Sequence, residues 1–123
     1  MTNKKNKARL EAERCYEARF GGWELDEIQP AGHTTEEWIA KDYLEDSTSI
    51  HFNIRSPEYR EESQEYVQLI KERHPNLRRP TEEEMEECRQ TQELAMNLCS
   101  SGDETRGDRA WDHIWEISDR LIG

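Results

Sequence analysis

The sequence predicts an α+β domain in which a small antiparallel sheet of two to three strands packs against about four helices. Apolar residues recur at helical spacing near both ends of the chain, while Ile50, Phe52 and Ile54 alternate with polar residues in the middle. Four tryptophans, four tyrosines and two phenylalanines can supply a core. The length of 123 residues fits one domain. We expect residues 1–6 to be a flexible basic terminus and residues 7–123 to form a single compact domain.

The first element is a helix predicted from Lys7 to Phe20. Its apolar residues fall at positions i, i+4, i+7 and i+8, which lie on one face of a helix. Gly21 and Gly22 follow, and glycine commonly ends helices. The predicted buried face comprises Ala8, Ala12, Cys15, Tyr16 and Phe20.

The segment from Trp23 to Ile54 is predicted to form the sheet. Its first short strand contains Trp23, Leu25 and Ile28, and it ends at a turn that begins with Pro30. Proline and glycine close together are typical of turns, so the chain is expected to reverse direction here.

The clearest strand is Ser49–Ile54, because its apolar and polar residues alternate. Residues 38–44 are predicted to pair with it as a hairpin through a polar turn at residues 45–48. A helix is the alternative for residues 35–44, since Thr34 and Glu37 have the spacing of a capping box.

Three further helices are predicted in the second half. Pro57 suits the first position of one helix, and Thr81 suits the N-cap of the next. The last helix, from Asp108 to about Leu121, has the most pronounced amphipathic pattern, with apolar residues over one half of its surface and acidic residues on the other. Such a helix must bury its apolar side against the domain or against a partner subunit.

Charge is distributed unevenly along the chain, whose formal net charge is −11. Residues 21–50 contain eight acidic and one basic side chain, and residues 81–123 contain twelve acidic and four basic ones. The remaining segments, 1–20 and 51–80, are basic or nearly neutral. A folded domain can place the two acidic segments on one side, where they would repel nucleic acid and attract a basic surface.

Common catalytic and cofactor motifs are missing from the sequence. It has no P-loop, no G-x-G-x-x-G, no H-E-x-x-H and no G-x-S-x-G. We therefore expect no catalytic residues, no cofactor and no metal. The three cysteines lack the spacing of a zinc site or of a disulfide-rich scaffold, and each lies on a predicted apolar face. A reducing, cytoplasmic location fits this cysteine content, and no apolar run is long enough to span a membrane.

An enzyme that uses a histidine and a neighbouring acid is the third of three functional alternatives. His51 lies on the polar side of a predicted strand, and His113 lies beside the carboxylates of the last helix. For His113 an ion pair with a neighbouring acid is the favoured interpretation. Asp108, Asp112 and Glu116 have metal-ligand spacing, but they project away from the apolar side, which favours a solvated face.

The first functional alternative is a non-enzymatic protein whose acidic face occupies a basic groove of a nucleic-acid-binding enzyme. Carboxylates four residues apart recur about every 6 Å along a helix, close to the spacing of phosphates on a nucleic-acid strand. In size and charge the chain is similar to small acidic proteins of mobile elements that block restriction or CRISPR enzymes; the similarity is one of composition and covers no motif. The predicted face comprises Asp108, Asp112, Glu116, Asp119, Glu82, Glu83, Glu86 and Glu93.

The second alternative is a structural or adaptor domain that forms a homodimer or larger homo-oligomer through aromatic helix surfaces. The last helix would supply this oligomer or docking face through Trp111, Ile114, Trp115 and Leu121. In this interpretation the acidic residues serve solubility. Under all three alternatives direct nucleic-acid binding and membrane binding are disfavoured.

Overall fold

The computed structural model describes residues 4–122, with side chains described from residue 7 onward. Helix α2 lies at the centre of the fold and packs against α3, α4 and α5, while α1 packs on α3 and α4 packs closely on α5. The helices are α1 (Lys4–Phe20), α2 (Thr35–His51), α3 (Pro57–Arg73), α4 (Glu82–Ser100) and α5 (Glu104–Asp119).

The α+β prediction is wrong, because the protein is all-helical over the described residues. Strand pairing within residues 4–122 is limited to two isolated bridges, Ile28 with Thr34 and Leu77 with Ile122. Neither bridge extends into a sheet. The predicted hairpin of residues 38–44 with Ser49–Ile54 is replaced by a single helix, α2.

Helix α2 forms because a reciprocal capping box closes its N-terminus and because its apolar residues have helical spacing. Thr34 Oγ1 accepts a hydrogen bond from the Glu37 backbone N–H at 3.2 Å, and the Glu37 carboxylate accepts one from the Thr34 backbone N–H at 3.0 Å. This capping box satisfies two backbone donors that a helix start otherwise leaves unpaired. The buried side of α2 comprises Thr35, Ile39, Ala40, Tyr43, Leu44 and Thr48.

The alternation in Ser49–Ile54 has a different origin from the predicted strand. The first three of these residues complete the last turn of α2, and Phe52 is its C-cap. Asn53 then adopts a left-handed conformation with φ of 52°, which asparagine tolerates better than most residues. Ile54 is left 55% exposed. The short alternating pattern is therefore a helix end followed by a turn.

The segment between α1 and α2 is irregular and braces the start of α2. The carbonyls of Leu25 and Glu27 accept hydrogen bonds from the backbone N–H groups of Glu36 and Thr35 at 2.9 Å and 3.1 Å. Trp23, Leu25 and Ile28, predicted to form a strand, are exposed instead. The turn predicted at residues 30–32 is present, with Gly32 at a positive φ of 82°.

The core lies between α2, α3 and α5. Burying a large aliphatic side chain stabilises a fold by about 1.5–3 kcal/mol relative to exposure. The C-terminal residues close this core, because Leu121 is fully buried and its carbonyl accepts a hydrogen bond from the Arg78 N–H at 2.7 Å. The largest fully buried apolar side chains are Ile39, Tyr43, Leu44, Leu69, Ile70, Leu77, Ile114, Ile117 and Leu121.

The four helices predicted outside the sheet are present, with shifted ends. Helix α5 begins at Glu104, earlier than predicted, and therefore includes Gly107. A side chain at Gly107 would meet Cys99 Sγ at 2.5 Å, so this glycine lets α5 approach α4 closely. Helix α1 begins at Lys4, and the predicted flexible terminus falls in part on residues 1–3, outside the described residues.

Candidate functional site

Helix α5 presents the acidic residues that the sequence predicted as a partner-binding face. The helix buries its opposite side, where Ile114 is fully covered. Among the side chains of residues 7–122, no lysine or arginine forms an ion pair with Asp108, Asp112 or Asp119. The four predicted residues of α5, all exposed, are Asp108, Asp112, Glu116 and Asp119.

A carboxylate of α2 extends this row. Burial and the adjacent Glu37 carboxylate raise the pKa of Asp119. The backbone hydrogen bond from Thr34 lowers the pKa of Glu37, so Glu37 stays ionised and its charge persists beside Asp119. The contact brings together the two acidic segments, residues 21–50 and 81–123. We call the following residues the acidic surface: Glu37, Asp108, Asp112, Glu116 and Asp119.

His113 lies at the edge of the acidic surface between carboxylates of two helices. Its Nε2 is 2.7 Å from Glu87 Oε1, and its Nδ1 is 3.2 Å from Glu116 Oε2. Arg120 Nη1 also donates to Glu87 Oε2 at 3.2 Å. Glu87 is thus an acid of α4 that faces α5, and it was not among the predicted face residues. The arrangement ties α4 to α5 and makes His113 a hydrogen-bond partner of both carboxylates.

The predicted acids of α4 do not all join the acidic surface. Glu82, Glu83 and Glu93 are exposed and Glu86 is half-buried. Arg89 pairs with Glu86 at 2.6 Å and with Glu93 at 3.3 Å, so one arginine offsets half of the charge of these two acids. The Arg89 guanidinium also lies over the Phe52 ring at 5.3 Å, near the end of α2. The predicted face is therefore divided between two regions of the molecule.

The residues predicted as an oligomer or docking face lie in or against the core. Ile114 and Leu121 are fully buried, Trp115 is 9% exposed, and Trp111 packs against the same cluster. The His33 ring stacks on Trp115 with a centroid distance of 3.6 Å. These side chains are covered by the protein's own helices. Self-association through them would require the domain to open.

Several acidic side chains where α1 packs on α3 are paired with arginines, unlike the aspartates of the acidic surface. Arg73 pairs with Glu17 at 2.9 Å, and Arg19 pairs with Asp42 of α2 at 2.6 Å. Arg9 contacts three glutamates of α1 and α3. We call the following residues the paired face: Arg9, Glu13, Glu17, Arg19, Asp42, Glu65, Glu72 and Arg73.

Two carboxylates one helical turn apart on α2, Asp42 and Asp46, lie near a small cavity of about 80 Å³ between α1, α2 and α3. Burial raises the pKa of Asp46 to about 6, although Arg55 contacts it at 3.0 Å. Tyr66 donates a hydrogen bond to Asp42 at 2.9 Å. Because both carboxylates are held by arginines, the cluster resembles a structural network more than a catalytic pair.

The other predicted reactive residues are dispersed. His51 is exposed at the end of α2, and no carboxylate hydrogen-bonds to it in the described part of the chain. Burial raises the pKa of the Cys88 thiol to about 11, which makes it unreactive. Cys15 and Cys99 are exposed, so their predicted core positions are wrong.

Neither a metal centre nor a membrane span emerges from residues 4–122. No group of three or more histidine, cysteine or acidic side chains among them has the geometry to hold a metal ion. None of their helices combines the length and apolar character needed to cross a bilayer.

Comparison with known proteins did not identify relatives. No protein-family model matches the chain, and searches of curated proteins and of solved structures found no similar protein.

Proposed function

We propose that this is a non-enzymatic acidic protein that occupies a basic, nucleic-acid-binding groove of another protein, as an inhibitor or decoy. The observation that carries the proposal is the contact between Asp119 and Glu37, which joins two acidic segments into one surface. In the described residues the basic side chain at this contact is His33, 3.3 Å from Glu37, and not an arginine or lysine. A surface with this charge attracts cationic grooves and repels nucleic acid.

The spacing of the acidic surface supports a nucleic-acid-like role. Asp108, Asp112 and Glu116 follow one another at about 6 Å along α5, and the row from Asp108 to Asp119 is about 16 Å long. Lysines and arginines that bind a strand of phosphates would meet carboxylates at a similar repeat. The buried side of α5 packs against α2 and α4, so the helix that bears the carboxylates is already in position before binding.

The fold itself gains little from this arrangement. Asp119 is disfavoured in its ionised form by burial and by Glu37, whereas the acids of the paired face are stabilised by arginines. Unmatched exposed carboxylates contribute little to stability. Their charge is available to a cationic partner.

The proposal is tested by capture of partners from a lysate of the source cell on the immobilised protein, followed by elution with duplex DNA. A partner that uses a nucleic-acid-binding groove is displaced by DNA, and the logarithm of its affinity falls linearly with the logarithm of salt concentration. We expect Asp112→Asn combined with Glu116→Gln to weaken its binding by about tenfold or more.

A matched control removes the same charge elsewhere. Glu58→Gln combined with Glu61→Gln changes two exposed acids of α3 and should leave affinity within about twofold. Equal losses from the two double variants would show that only net charge matters. A partner whose binding ignores salt and DNA would contradict the proposal.

A further inference from the structure

An exposed apolar segment lies next to the start of α2. Trp23 is 43% exposed, Leu25 46% and Ile28 67%, within six residues of one another. Large exposed apolar side chains are common singly, but a cluster of three is typical of an interaction site. We call Trp23, Leu25 and Ile28 the apolar segment.

Of the apolar segment, Trp23 lines an open groove of about 840 Å³ between the end of α1, the turn at residues 29–31 and α2. Phe20 and Trp38 contribute further aromatic surface to this groove, and Pro30 and Ala31 contribute aliphatic surface. Grooves of this size with aromatic walls are suited to accept an apolar side chain from a partner.

Charged side chains in the groove are already paired with one another. Arg19 contacts Asp42 at 2.6 Å, and Arg55 contacts Asp46 at 3.0 Å. Lys41 pairs with Glu45 on the next turn of α2. A charged group entering the groove would compete with these ion pairs and gain little, which favours an apolar occupant.

The acidic residues that lie between those of the apolar segment have no basic partner among the described residues. Glu24, Asp26 and Glu27 alternate with the apolar segment and are exposed, and no basic side chain among residues 7–122 pairs with them. The occupant should therefore be basic around an apolar centre. A second copy of this chain is disfavoured, because a two-fold interface would set these three carboxylates against their own copies.

We propose that this groove docks a basic segment of the partner protein that inserts one large apolar side chain beside Trp23. The proposal rests on the proposed function, since it gives the same basic partner a second point of attachment. Trp38 lines the groove and directly follows Glu37 of the acidic surface in α2, so the groove adjoins the acidic surface. The carboxylates attract the partner, and the apolar contact anchors it.

Two fluorescein-labelled synthetic peptides serve as probes in fluorescence polarisation. The first is a lysine-rich peptide with two central leucines, and the second replaces those leucines with serine. We expect the leucine peptide to bind about tenfold more tightly or better. Trp23→Ala should remove this difference while leaving the affinity for the serine peptide within about twofold. Equal affinities of the wild-type protein for both peptides would overturn the proposal.

A second variant covers the event that Trp23→Ala does not fold. Ala31→Glu places a charged side chain on the wall of the groove at an exposed position and should reduce the leucine preference by about threefold or more. Leu94→Glu, which adds the same charge at a 53% exposed side chain of α4, is the matched control and should preserve the preference. A leucine preference that survives both Trp23→Ala and Ala31→Glu would place the apolar contact elsewhere and overturn the proposal.

The charge variant separates this proposal from the proposed function. Asp112→Asn combined with Glu116→Gln should weaken both peptides by the same factor and preserve the leucine preference. If that variant changes neither affinity while Trp23→Ala still removes the preference, the acidic-surface function fails and the groove stands. A dimer in light scattering that is lost in Ala31→Glu would assign the groove to a second copy and overturn the basic occupant.

Discussion

Two surfaces of this protein deal with negative charge in opposite ways. On the paired face, arginines of α1 and α3 lie within 4 Å of the acids around them, as Arg73 does with Glu17 and Arg19 with Asp42. On the acidic surface, two carboxylates from different helices, Glu37 and Asp119, lie beside each other instead.

The acids of the paired face therefore stabilise the fold, whereas those of the acidic surface are available to bind a partner. The half-buried carboxylate of Asp42 accepts hydrogen bonds from an arginine and from a tyrosine hydroxyl. Its removal would leave both donors without an acceptor. An exposed carboxylate such as Asp112 has no such partners in the described residues, so its loss leaves the fold nearly unchanged. Variants of the two faces should therefore have opposite effects on stability and on binding.

The largest effect is expected from Asp42→Ala. Its carboxylate accepts hydrogen bonds from Arg19 Nη1 at 2.6 Å and from the hydroxyl of Tyr66, a residue that is 4% exposed. Without that acceptor the buried hydroxyl is unsatisfied, and we expect the free energy of unfolding to fall by about 2–3 kcal/mol in urea denaturation. Asp112→Ala, the control on the acidic surface, should change it by less than about 0.5 kcal/mol. Similar losses in both variants would break the distinction between the faces.

A smaller loss in the free energy of unfolding, with a defined pH dependence, is expected from Glu84→Gln, which changes an acid of α4 that is paired with an arginine. Two hydrogen bonds from Arg78 and one from the Thr81 backbone N–H lower the pKa of Glu84 to about 2. Because this pKa is depressed in the folded state, the stabilisation is present above the ordinary glutamate value and is lost as the pH falls towards 2. We expect Glu84→Gln to cost about 1 kcal/mol at pH 6 and less than about half of that at pH 3. Urea denaturation at the two pH values measures this, and a pH-independent cost would contradict it.

The smallest change in the free energy of unfolding is expected from Asp119→Asn, and it is a gain in stability. Burial and Glu37 raise the pKa of Asp119, so its ionised form opposes folding at neutral pH and the opposition disappears as the pH falls. We expect the variant to be more stable by roughly 0.5 kcal/mol at pH 7 and to bind the basic partner more weakly. Thermal melts at pH 7 and pH 4 measure the first effect. A destabilised variant would show that Asp119 maintains the fold.

Four of the five helices could be predicted from the sequence, whereas the residues of α2 were predicted to form part of a sheet. Three of these predictions are confirmed because each depends on neighbours within a few residues. They are the helix start at Pro57, the N-cap at Thr81 and the amphipathic last helix. The alternation in Ser49–Ile54 is also local, but it spans too few residues to exclude a helix end. The Thr34–Glu37 capping box, the alternative indication, was the correct one.

The candidate site was predictable in part. Asp108, Asp112, Glu116 and Asp119 share one side of α5 because of helix geometry alone. The contribution of Glu37 and the facing position of Glu87 were not predictable, since each depends on how another helix packs against α5. Grouping Glu86 and Glu93 with the α5 acids was an overextension, because both pair with Arg89 of their own helix.

The sequence by itself determined the amount of charge, its concentration in residues 21–50 and 81–123, and the helical stripe of α5. These properties depend on composition and on contacts within one or two turns. Only the tertiary structure decided which acids meet arginines and which meet one another, because electrostatic energy depends on distances of a few ångströms between side chains that are far apart in the chain. Packing α5 against α2 created the contact between Asp119 and Glu37, and packing α1 against α3 created the paired face.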